Sequence, residues 1–270
     1  MAIKKVVIAA AGQGTRMLHL TKNKSKHLIN VCQKPFLSYL LDNILEAGYK
    51  EIILVVGYGD ELMRRFLKEY GYKSPHLSAG SLRPNSGAGA GYSGRCGDKV
   101  ELINQFEILG PKEKIYGTAC PLMCVKDIIK NSQFVYLCGD NLYSSRDLRI
   151  MNIDDDYCYI AGIEHKNPEK YGVLVEKDGF LEKVVEKSKE YFGNIINAGL
   201  YKFTPEIFEK VSLIKKSSRE EYEITDAINL LAKDKKMKIK IIKDYWMDFG
   251  NPSDVIKLSK FITAGKTLRP

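Results

Sequence analysis

A glycine-containing segment follows the first apolar run of the chain and has the composition of a phosphate-binding turn. It reads Ala-Ala-Gly-Gln-Gly-Thr-Arg-Met from Ala10 to Met17. Glycine lets a backbone approach a phosphate closely, and exposed amide groups there can bind negative charge. Arg16 adds a planar cation that suits phosphate oxygens. The segment is not a dinucleotide-binding fingerprint, which needs a third glycine where Met17 stands, and it lacks the Gly-Lys-Ser/Thr end of a P-loop.

Two aspartates each follow an apolar, strand-like run, which makes them candidates for a metal site. Asp140 comes after the run 134–138, and Asp248 comes after the run 245–247. Open α/β sheets bind ligands at the carboxyl ends of their strands, so the two carboxylates are expected to converge there. Two such groups can hold Mg²⁺ together with substrate phosphates. The residues alone also fit a turn residue at Asp140 and a helix cap or ion-pair partner at Asp248.

The length and composition favour one large domain with a small appended lobe. A chain of 270 residues lies near the upper limit for a single hydrophobic core. Lysine and arginine number 42 against 33 aspartates and glutamates, which gives a net charge of +9. That excess favours anionic ligands, although a lysine-rich surface that keeps the protein soluble explains it as well. Nucleic-acid binding is not expected, because the chain has no arginine-rich run and no interleaving of basic and aromatic residues.

Cysteine usage and the N-terminal run favour a soluble, cytoplasmic protein without a membrane span. The six cysteines form no Cys-x-x-Cys pair, the four histidines are scattered, and neither set has zinc-site spacing. The cysteines are therefore interpreted as core residues in a reducing compartment. The apolar run 6–11 is too short for a signal peptide, and no run approaches the ~20 apolar residues of a membrane span.

Apolar spacing in the first half predicts strands that alternate with helices. Continuous apolar runs, typical of strands buried on both faces, occur at 6–10, 52–56 and 134–138. Helical spacing occurs at 35–48, 60–70 and 118–130. Pro35 is expected to open the first helix and Asp60 to cap the second. The alternation predicts an α/β fold with a doubly wound, mostly parallel, Rossmann-like sheet flanked by helices.

The second half has a different pattern and is interpreted as a smaller, strand-rich lobe. Strand-like patterns occupy 157–163 and 172–186, where Asp178-Gly179 is a hairpin signal. Helical spacing returns at 205–211, 225–232 and 252–264. We predict a single domain over 1–270, with 1–150 serving mainly one ligand and 151–270 mainly a second. The Gly/Ser-rich stretch 78–97 is predicted to be an insertion, either a functional loop or an inert one.

A series of short motifs follows the glycine turn in a fixed order. They are Ser25-Lys26-His27-Leu28, Gln33-Lys34-Pro35, Tyr116-Gly117-Thr118-Ala119, Gly139-Asp140-Asn141-Leu142-Tyr143, Tyr171-Gly172-Val173, Val185-Glu186-Lys187, 197–201, 221–227 and 245–252. Together with the opening Ala-Ala-Gly-x-Gly-Thr-Arg, this order resembles the sugar-1-phosphate nucleotidylyltransferase family along nearly the whole chain. The forms at 139–143 and 245–248 are most similar to archaeal glucose-1-phosphate thymidylyl- and uridylyltransferases.

This resemblance implies a Mg²⁺-dependent enzyme that binds a nucleoside triphosphate and a sugar 1-phosphate and that can form a homo-oligomer. The catalytic residues that it implies are Arg16, Lys26, Asp140 and Asp248, the two aspartates being the metal ligands. The implied nucleotide-binding residues are Ala11, Gly12, Gly14, Thr15, Arg16, Lys26, Gln105, Gly117 and Thr118. The implied sugar-phosphate-binding residues are Gly172, Glu186, Lys187 and Asn197.

The chain departs from the family pattern most where the nucleobase should be recognised. Gln105, the candidate for that role, precedes Gly117 by 12 residues (117 − 105), further than the family normally allows. Ser25 and Ser188 stand where the family often has proline, which alters loop rigidity more than the placement of charge.

The implied reaction joins a sugar 1-phosphate, by resemblance glucose 1-phosphate, to UTP or dTTP with release of pyrophosphate. The base stays open, because uracil and thymine present the same hydrogen-bonding edge. Two alternatives remain: a cytidylyltransferase for another small phosphate acceptor, and a catalytically inactive regulator that binds nucleotide sugars. An acyltransferase arm is not expected, since little sequence follows Pro252 and no hexapeptide repeat is visible.

Overall fold

The computed structural model describes residues 3–12, 14–21, 25–72 and 99–265, so the predicted insertion at 78–97 lies outside the described residues. Within the described ranges the strands are β1 (Lys5–Ala10), β2 (Asn30–Val31), β3 (Lys34–Pro35), β4 (Glu51–Val56), β5 (Lys99–Asn104), β6 (Phe134–Cys138), β7 (Asn141–Tyr143), β8 (Cys158–Glu164), β9 (Gly172–Lys177), β10 (Phe180–Glu186), β11 (Ile195–Phe203), β12 (Met237–Ile241) and β13 (Trp246–Asp248). The helices are α1 (Phe36–Glu46), α2 (Asp60–Glu69), α3 (Gln105–Leu109), α4 (Cys120–Ile129), α5 (Ser145–Ile150), α6 (Glu206–Leu213), α7 (Ile224–Lys233) and α8 (Pro252–Thr263).

One half of the central sheet is parallel, in the order β5-β4-β1-β6. Val6 and Ile8 of β1 enter a core shared with α1, α2, α5 and α8, whereas Val7 enters a second core shared with α4, α6 and α7. All three side chains are completely buried. The continuous apolar run of β1 therefore reflects helices on both faces of the sheet, and the predicted doubly wound α/β fold is confirmed.

The other half of the sheet is largely antiparallel and contains the strands of the second half of the chain. β11 is the junction, because it pairs antiparallel with β6 on one side and with β8 and β9 on the other. β10 continues the sheet beyond β9, and β12 pairs with β8 in parallel. The strand-rich second half thus extends the central sheet directly through β11.

Local turn chemistry explains one success and one error of the sequence analysis. Asp178 and Gly179 both have left-handed φ values, 53° and 78°, which matches the hairpin predicted between β9 and β10. Asp60, predicted to cap a helix, is instead the first residue of α2. The preceding residue, Gly59, adopts φ 74° and makes no side-chain cap, so Asp60 contributes as an acidic group near the helix N-terminus. None of the described helices has both the length and the apolar character needed to cross a bilayer.

Candidate active site

A buried lysine and an aspartate form the centre of the candidate site. Lys26 lies in a short 3₁₀ turn, and Asp140 follows directly after β6 and Gly139. Lys26 Nζ donates to Asp140 Oδ2 at 2.5 Å, and only 9% of the lysine side chain is exposed. A charge-assisted contact of this kind is among the stronger hydrogen bonds in proteins, so it fixes a cation at the carboxyl end of β6.

Glycine at position 139 also brings this loop against β1. The amide of Gly139 donates to Ala9 O at 2.9 Å, and a Cβ on residue 139 would lie only 2.8 Å from that oxygen. Any other residue type would displace the loop, because Cβ atoms do not approach an oxygen so closely. The Gly-Asp pair therefore places the carboxylate of Asp140 beside the ends of two parallel strands.

Asp248 reaches the same place through a short antiparallel ribbon. β13 pairs with β7, so that Asp248 stands opposite Asn141, and the amide of Phe249 donates to Asp140 O at 2.8 Å. Asp248 is thus the last residue of β13, whereas the sequence analysis expected it at the end of a strand of the main sheet. The ribbon achieves the predicted convergence of the two aspartates by another route.

Arg16 lies beside Asp248, and Gly250 leaves the space that both side chains need. A Cβ on residue 250 would lie 3.3 Å from Asp248 Oδ1 and 3.4 Å from Arg16 Nη2. The structure therefore brings together the four residues predicted to be catalytic: Lys26 and Asp140 are in direct contact, and Arg16 and Asp248 both border the space that Gly250 leaves.

The two carboxyl groups have opposite electrostatic environments. Burial alone would raise the pKa of Asp140, but the charge and hydrogen bond of Lys26 outweigh it and hold that pKa below its usual range. Burial raises the pKa of Asp248 to about 6, and the negative charges of Asp140 and Asp254 act in the same direction against Arg16. A nearby positive charge would therefore favour the ionised form of Asp248.

These two aspartates are the residues that could hold a divalent cation. Within the described ranges no group of three or more His, Cys, Asp and Glu side chains is arranged to hold a metal. Mg²⁺ does not require such a group, because it typically binds one or two carboxylates, water and substrate phosphates. The donor set of Asp140 and Asp248 fits this mode of binding, and so does the raised pKa of Asp248, which results from burial first and then from the charges of Asp140 and Asp254.

The predicted phosphate-binding turn has the backbone that its glycines suggest. Gly14 adopts φ 68°, and its carbonyl accepts from the amide of Met17 at 2.9 Å. The Met17 side chain is fully buried, whereas Thr15 and Arg16 are exposed. Met17 thus anchors the turn while its neighbours face outward. Of the residues predicted to bind nucleotide, Ala11, Gly12, Gly14 and Thr15 all lie in this turn.

His27, next to Lys26, is a buried histidine to which the sequence analysis gave no role. Its Nδ1 shares a hydrogen bond of 2.7 Å with Ser25 Oγ, and its Nε2 has no partner within the described residues. Burial, followed by the charge of Lys26, lowers its pKa to about 3. The ring is therefore neutral around pH 7 and adds no charge to the site.

The turn containing Gly117 and Thr118 is fastened to the start of α7. The Thr118 hydroxyl accepts from the amide of Ile224 at 2.9 Å and donates to Glu223 Oε2 at 3.3 Å. Gly117 has φ 139°, and a Cβ there would lie 2.2 Å from the carbonyl oxygen of Tyr222. Of the two predicted nucleotide-binding residues, Thr118 thus has its hydroxyl committed to α7, which leaves its backbone for other contacts.

Gln105 is the first residue of α3 and lies below the surface. Only 1% of it is exposed, and its Oε1 has no hydrogen-bond partner within the described residues. The next residue, Phe106, packs edge-on against Tyr58 at 4.8 Å between ring centroids and touches Gly57. A Cβ on Gly57 would in turn lie 2.6 Å from Ala11 O, so α3 sits close to the glycine turn.

The predicted sugar-phosphate residues gather at one end of the β9–β10 hairpin. Gly172 pairs with Glu186, and a Cβ on residue 172 would lie 2.9 Å from Glu186 Oε1. Lys187 follows with φ 45°, and its amide donates to Tyr171 O at 3.1 Å. Burial raises the pKa of Glu186, against the positive charges of Lys187 and Arg219.

Asn197 is held within β11, whereas Tyr171 relates this end of the hairpin to the acidic centre. Asn197 uses both ends of its amide inside β11: Nδ2 donates to Tyr201 Oη and Oδ1 accepts from the amide of Gly199, each at 2.9 Å. The charge of Asp248 contributes, after burial, to raising the pKa of Tyr171. The hairpin and the aspartates therefore lie within electrostatic reach of each other.

Sequence reasoning missed two residues near this hairpin, Arg219 and Glu223. Arg219 Nη2 donates to Glu223 Oε1 at 2.7 Å, and the arginine charge acts on Glu186. The sequence does place Arg219 four residues before Glu223, a spacing typical of ion pairs, but such pairs are common on protein surfaces. The burial of the Glu223 carboxylate became visible only in the folded chain.

Comparisons with known proteins identify the family of the chain. The family model described as nucleotidyl transferase matches residues 5–265. The bifunctional sugar-1-phosphate nucleotidylyltransferase/acetyltransferase of Sulfurisphaera tokodaii is 30% identical over 95% of this chain and 55% of its own length. The UTP–glucose-1-phosphate uridylyltransferase AglF of Haloferax volcanii is 30% identical over 93% of each chain. The chain spans about half the length of several curated relatives that it matches.

A likeness to solved structures extends over the whole fold. The crystal structure of an apo UDP-glucose pyrophosphorylase has a TM-score of 0.77 and 24% identity, covering 98% of this chain and 99% of that one. A glucose-1-phosphate thymidylyltransferase from Bacillus anthracis has a TM-score of 0.72 at 20% identity, covering 95% of this chain and 94% of that chain. At these identities the likeness establishes the fold.

Proposed function

Because the chain belongs to the nucleotidyl transferase family, we propose that it joins a sugar 1-phosphate to a nucleoside triphosphate and releases pyrophosphate. The observation that carries this proposal is the contact between Lys26 Nζ and Asp140 Oδ2, with Arg16 and Asp248 beside it. Two cations and two carboxylates at the carboxyl ends of parallel strands suit a reaction between polyanions.

In the proposed reaction an oxygen of the sugar 1-phosphate attacks the α-phosphorus of the triphosphate. A new phosphorus–oxygen bond forms, the bond between the α-phosphorus and the bridging oxygen breaks, and pyrophosphate leaves with that electron pair. Arg16 and Lys26 would neutralise charge on the triphosphate and on the departing pyrophosphate. Catalysis of this kind depends on positioning and electrostatic stabilisation, so no covalent enzyme nucleophile is needed.

Asp140 and Asp248 would hold Mg²⁺ in this proposal. The ion would supply positive charge to the reacting phosphates. Lys26 would hold Asp140 in place and ionised for that purpose, since it lowers the pKa of that carboxyl.

The two substrates would bind on opposite sides of this centre. The nucleoside triphosphate would contact the glycine turn and the 116–119 turn, with Gln105 the candidate reader of the base. The sugar 1-phosphate would contact Lys187 with its phosphate and Glu186 with a sugar hydroxyl. The remaining residues of the proposed site are Gly172 and Asn197 on the sugar side and Ala11, Gly12, Gly14, Thr15, Gly117 and Thr118 on the nucleotide side.

Glucose 1-phosphate with UTP or dTTP is the proposed substrate pair. AglF, whose name specifies UTP and glucose 1-phosphate, aligns over 93% of each chain, which favours that pair among the relatives.

Wild-type protein should release pyrophosphate from at least one pair in a matrix of five nucleoside triphosphates against several sugar 1-phosphates with Mg²⁺. Turnover with CTP and phosphocholine alone would instead indicate a cytidylyltransferase. Nucleotide-sugar binding without turnover in any combination would indicate a regulator and contradict the proposal.

A further inference from the structure

Glu223 is a buried carboxylate on which three donors from two segments converge. It directly precedes α7, and 8% of its side chain is exposed. Oε1 accepts from Arg219 Nη2 at 2.7 Å and from Ser217 Oγ at 3.1 Å. Oε2 accepts from Thr118 Oγ1 at 3.3 Å. One side chain thus contacts a turn that lies 105 residues away as well as its own loop.

The backbone around Glu223 binds the same two segments together. The amide of Tyr222 donates to Tyr116 O at 2.8 Å, and the amide of Ala119 donates to Tyr222 O at 2.9 Å. Gly117 passes so close to Tyr222 that no side chain fits between them. The turn 116–119 and the residues before α7 therefore form one docked unit.

The loop 216–222 extends from this unit towards the β9–β10 hairpin. It is closed at its base by a bridge between Lys216 and Tyr222, and the amide of Ser217 donates to Glu221 O at 2.8 Å. Arg219 is carried on this loop, and its charge reaches Glu186 at the end of the hairpin. Glu223 holds the guanidinium in that position although 60% of the Arg219 side chain is exposed.

We propose that Glu223 is a positioning residue that ties the nucleotide-side turn to the loop beside the sugar-phosphate residues. The inference rests on the proposed function, because it assigns the turn to one substrate and Glu186 and Lys187 to the other. Through Oε2 and Thr118 the carboxylate fixes the turn 116–119. Through Oε1 it fixes Arg219, and therefore the loop 216–222.

The buried charge of Glu223 indicates that the residue positions two segments and does more than hold a loop in place. Removing a carboxylate from water is costly, and well-packed apolar side chains could join two loops more cheaply. A carboxylate, in contrast, can accept from donors on both of its oxygens, so it sets the relative position of two segments. In Glu223→Gln the negative charge is lost and an amide nitrogen, which donates and does not accept, replaces one oxygen, so the bond from the Thr118 hydroxyl is lost or reversed while the contact with Arg219 loses its charge partner.

Amide hydrogen exchange without any substrate tests the link itself. In Glu223→Gln, exchange should accelerate by about tenfold or more in both the turn 116–119 and the loop 216–222, while the strands of the central sheet keep their wild-type protection. Glu220→Gln is the matched control, because Glu220 lies on the same loop with 82% of its side chain exposed. Unchanged exchange in both segments, or an equal increase throughout the molecule, would overturn the proposal.

Steady-state kinetics on the same variants test the consequence for function. Because a small misplacement of a substrate-positioning group can cost up to ~10²-fold, Glu223→Gln should lower kcat/KM for both substrates by about tenfold to a hundredfold, mainly through KM. Thr118→Val should raise the KM of the nucleotide selectively, and adding it to Glu223→Gln should have little further effect on that KM. A pure loss of kcat with both KM values unchanged contradicts a positioning role.

The two readouts separate the failure of this inference from the failure of the proposed function. If the exchange result holds but wild-type protein turns over no substrate pair, the link stands and the assigned reaction is wrong. If wild-type protein is active and Glu223→Gln matches it in exchange and kinetics, the positioning role is wrong. Should Glu223→Gln fail to fold, Thr118→Val carries the test, because it keeps the carboxylate and removes the hydroxyl that donates to Glu223 and accepts from the Ile224 amide. Wild-type exchange in the turn and an unchanged nucleotide KM in Thr118→Val would then overturn the proposal.

Discussion

Lys26 and Asp140 contact each other directly in the folded chain, whereas Asp248 lies where burial and neighbouring carboxylates oppose its ionisation. The centre is therefore asymmetric: one carboxylate is already paired with a cation, and the other would gain most from positive charge. Charges arranged in advance do not have to reorganise during the reaction, which is the basis of electrostatic catalysis.

Replacing either aspartate by its amide should abolish most of the activity. Asp140→Asn and Asp248→Asn each remove a negative charge from the proposed Mg²⁺ site, and we expect turnover to fall by ~10²-fold or more. Pyrophosphate release at saturating substrates measures the effect. Asp178→Asn is the control, since Asp178 lies in an exposed hairpin turn where asparagine is equally suited. Near-wild-type rates in both variants would exclude the metal assignment.

His27 predicts a particular dependence of stability on pH. Its pKa is lowered to about 3 in the folded protein from an ordinary value of 6.5, so the unfolded chain binds more protons between these values. The stability linked to the neutral ring is fully present above pH 6.5 and falls by about 1.4 kcal/mol for each pH unit between pH 6.5 and about 3. The free energy of unfolding by urea at pH 7 and pH 5 should therefore change less in His27→Gln than in wild type. Equal changes in the two proteins would contradict this account.

Sequence reasoning found the charged residues of the centre but not how they are held. Arg16, Asp140 and Asp248 could be predicted because each lies in a short motif that follows an apolar run, whereas Lys26 was implied only by the resemblance of Ser25-Lys26-His27-Leu28 to a family motif. The contact of Thr118 with Glu223 could not be predicted, because nothing in the local sequence indicates that this hydroxyl will bond to a carboxylate 105 residues further along the chain. Burial also changed the interpretation of Gln105, whose side chain lies below the surface.

At the scale of elements, turns and short ribbons decide where the proposed site residues stand. The long apolar runs of β1, β4 and β6 and the helices α1, α4 and α8 were predictable, since continuous burial and helical spacing leave clear patterns. The three-residue strands β7 and β13 were not predictable, because three residues are too few to show a periodicity. That ribbon nevertheless brings Asp248 to Asp140.

Gly117→Ala should separate the turn 116–119 from the start of α7. The new Cβ would lie 2.2 Å from Tyr222 O and 2.4 Å from Tyr222 N, and φ 139° is a conformation that alanine rarely adopts. We expect a loss of more than ~1 kcal/mol in the free energy of unfolding together with a raised KM for the nucleotide. Thermal unfolding and steady-state kinetics measure the two effects.

Gly179→Ala is the control that isolates the close contact from the backbone conformation. Gly179 also has a left-handed φ, 78°, but a Cβ there would meet no atom within 4 Å. It should lose some stability and keep its KM values. If the two alanine variants behave alike in KM, the docking of the turn against Tyr222 does not contribute to nucleotide binding.

At the scale of the whole molecule, β11 joins the parallel and the antiparallel halves of the sheet, and one of its residues is a fully buried lysine. The Lys202 side chain has 0% exposure. Its Nζ donates to the carbonyls of Asp155 at 2.6 Å and Tyr157 at 2.5 Å, and to Asp155 Oδ1 at 3.2 Å. The lysine thus fastens the segment that leads into β8 to the junction strand.

Lys202→Met keeps the approximate length of the side chain but leaves these three acceptors without their donor. Breaking a buried charged contact in this way costs on the order of 3 kcal/mol, so the variant should unfold at a lower urea concentration than wild type. Lys177→Met, at the exposed end of β9, should stay close to wild type. Because Lys202 lies far along β11 from Asn197, the folded fraction of Lys202→Met should retain wild-type kcat and KM. A variant as stable as wild type would show that the junction does not depend on this lysine, and a selective loss of activity would show that its role is not confined to stability.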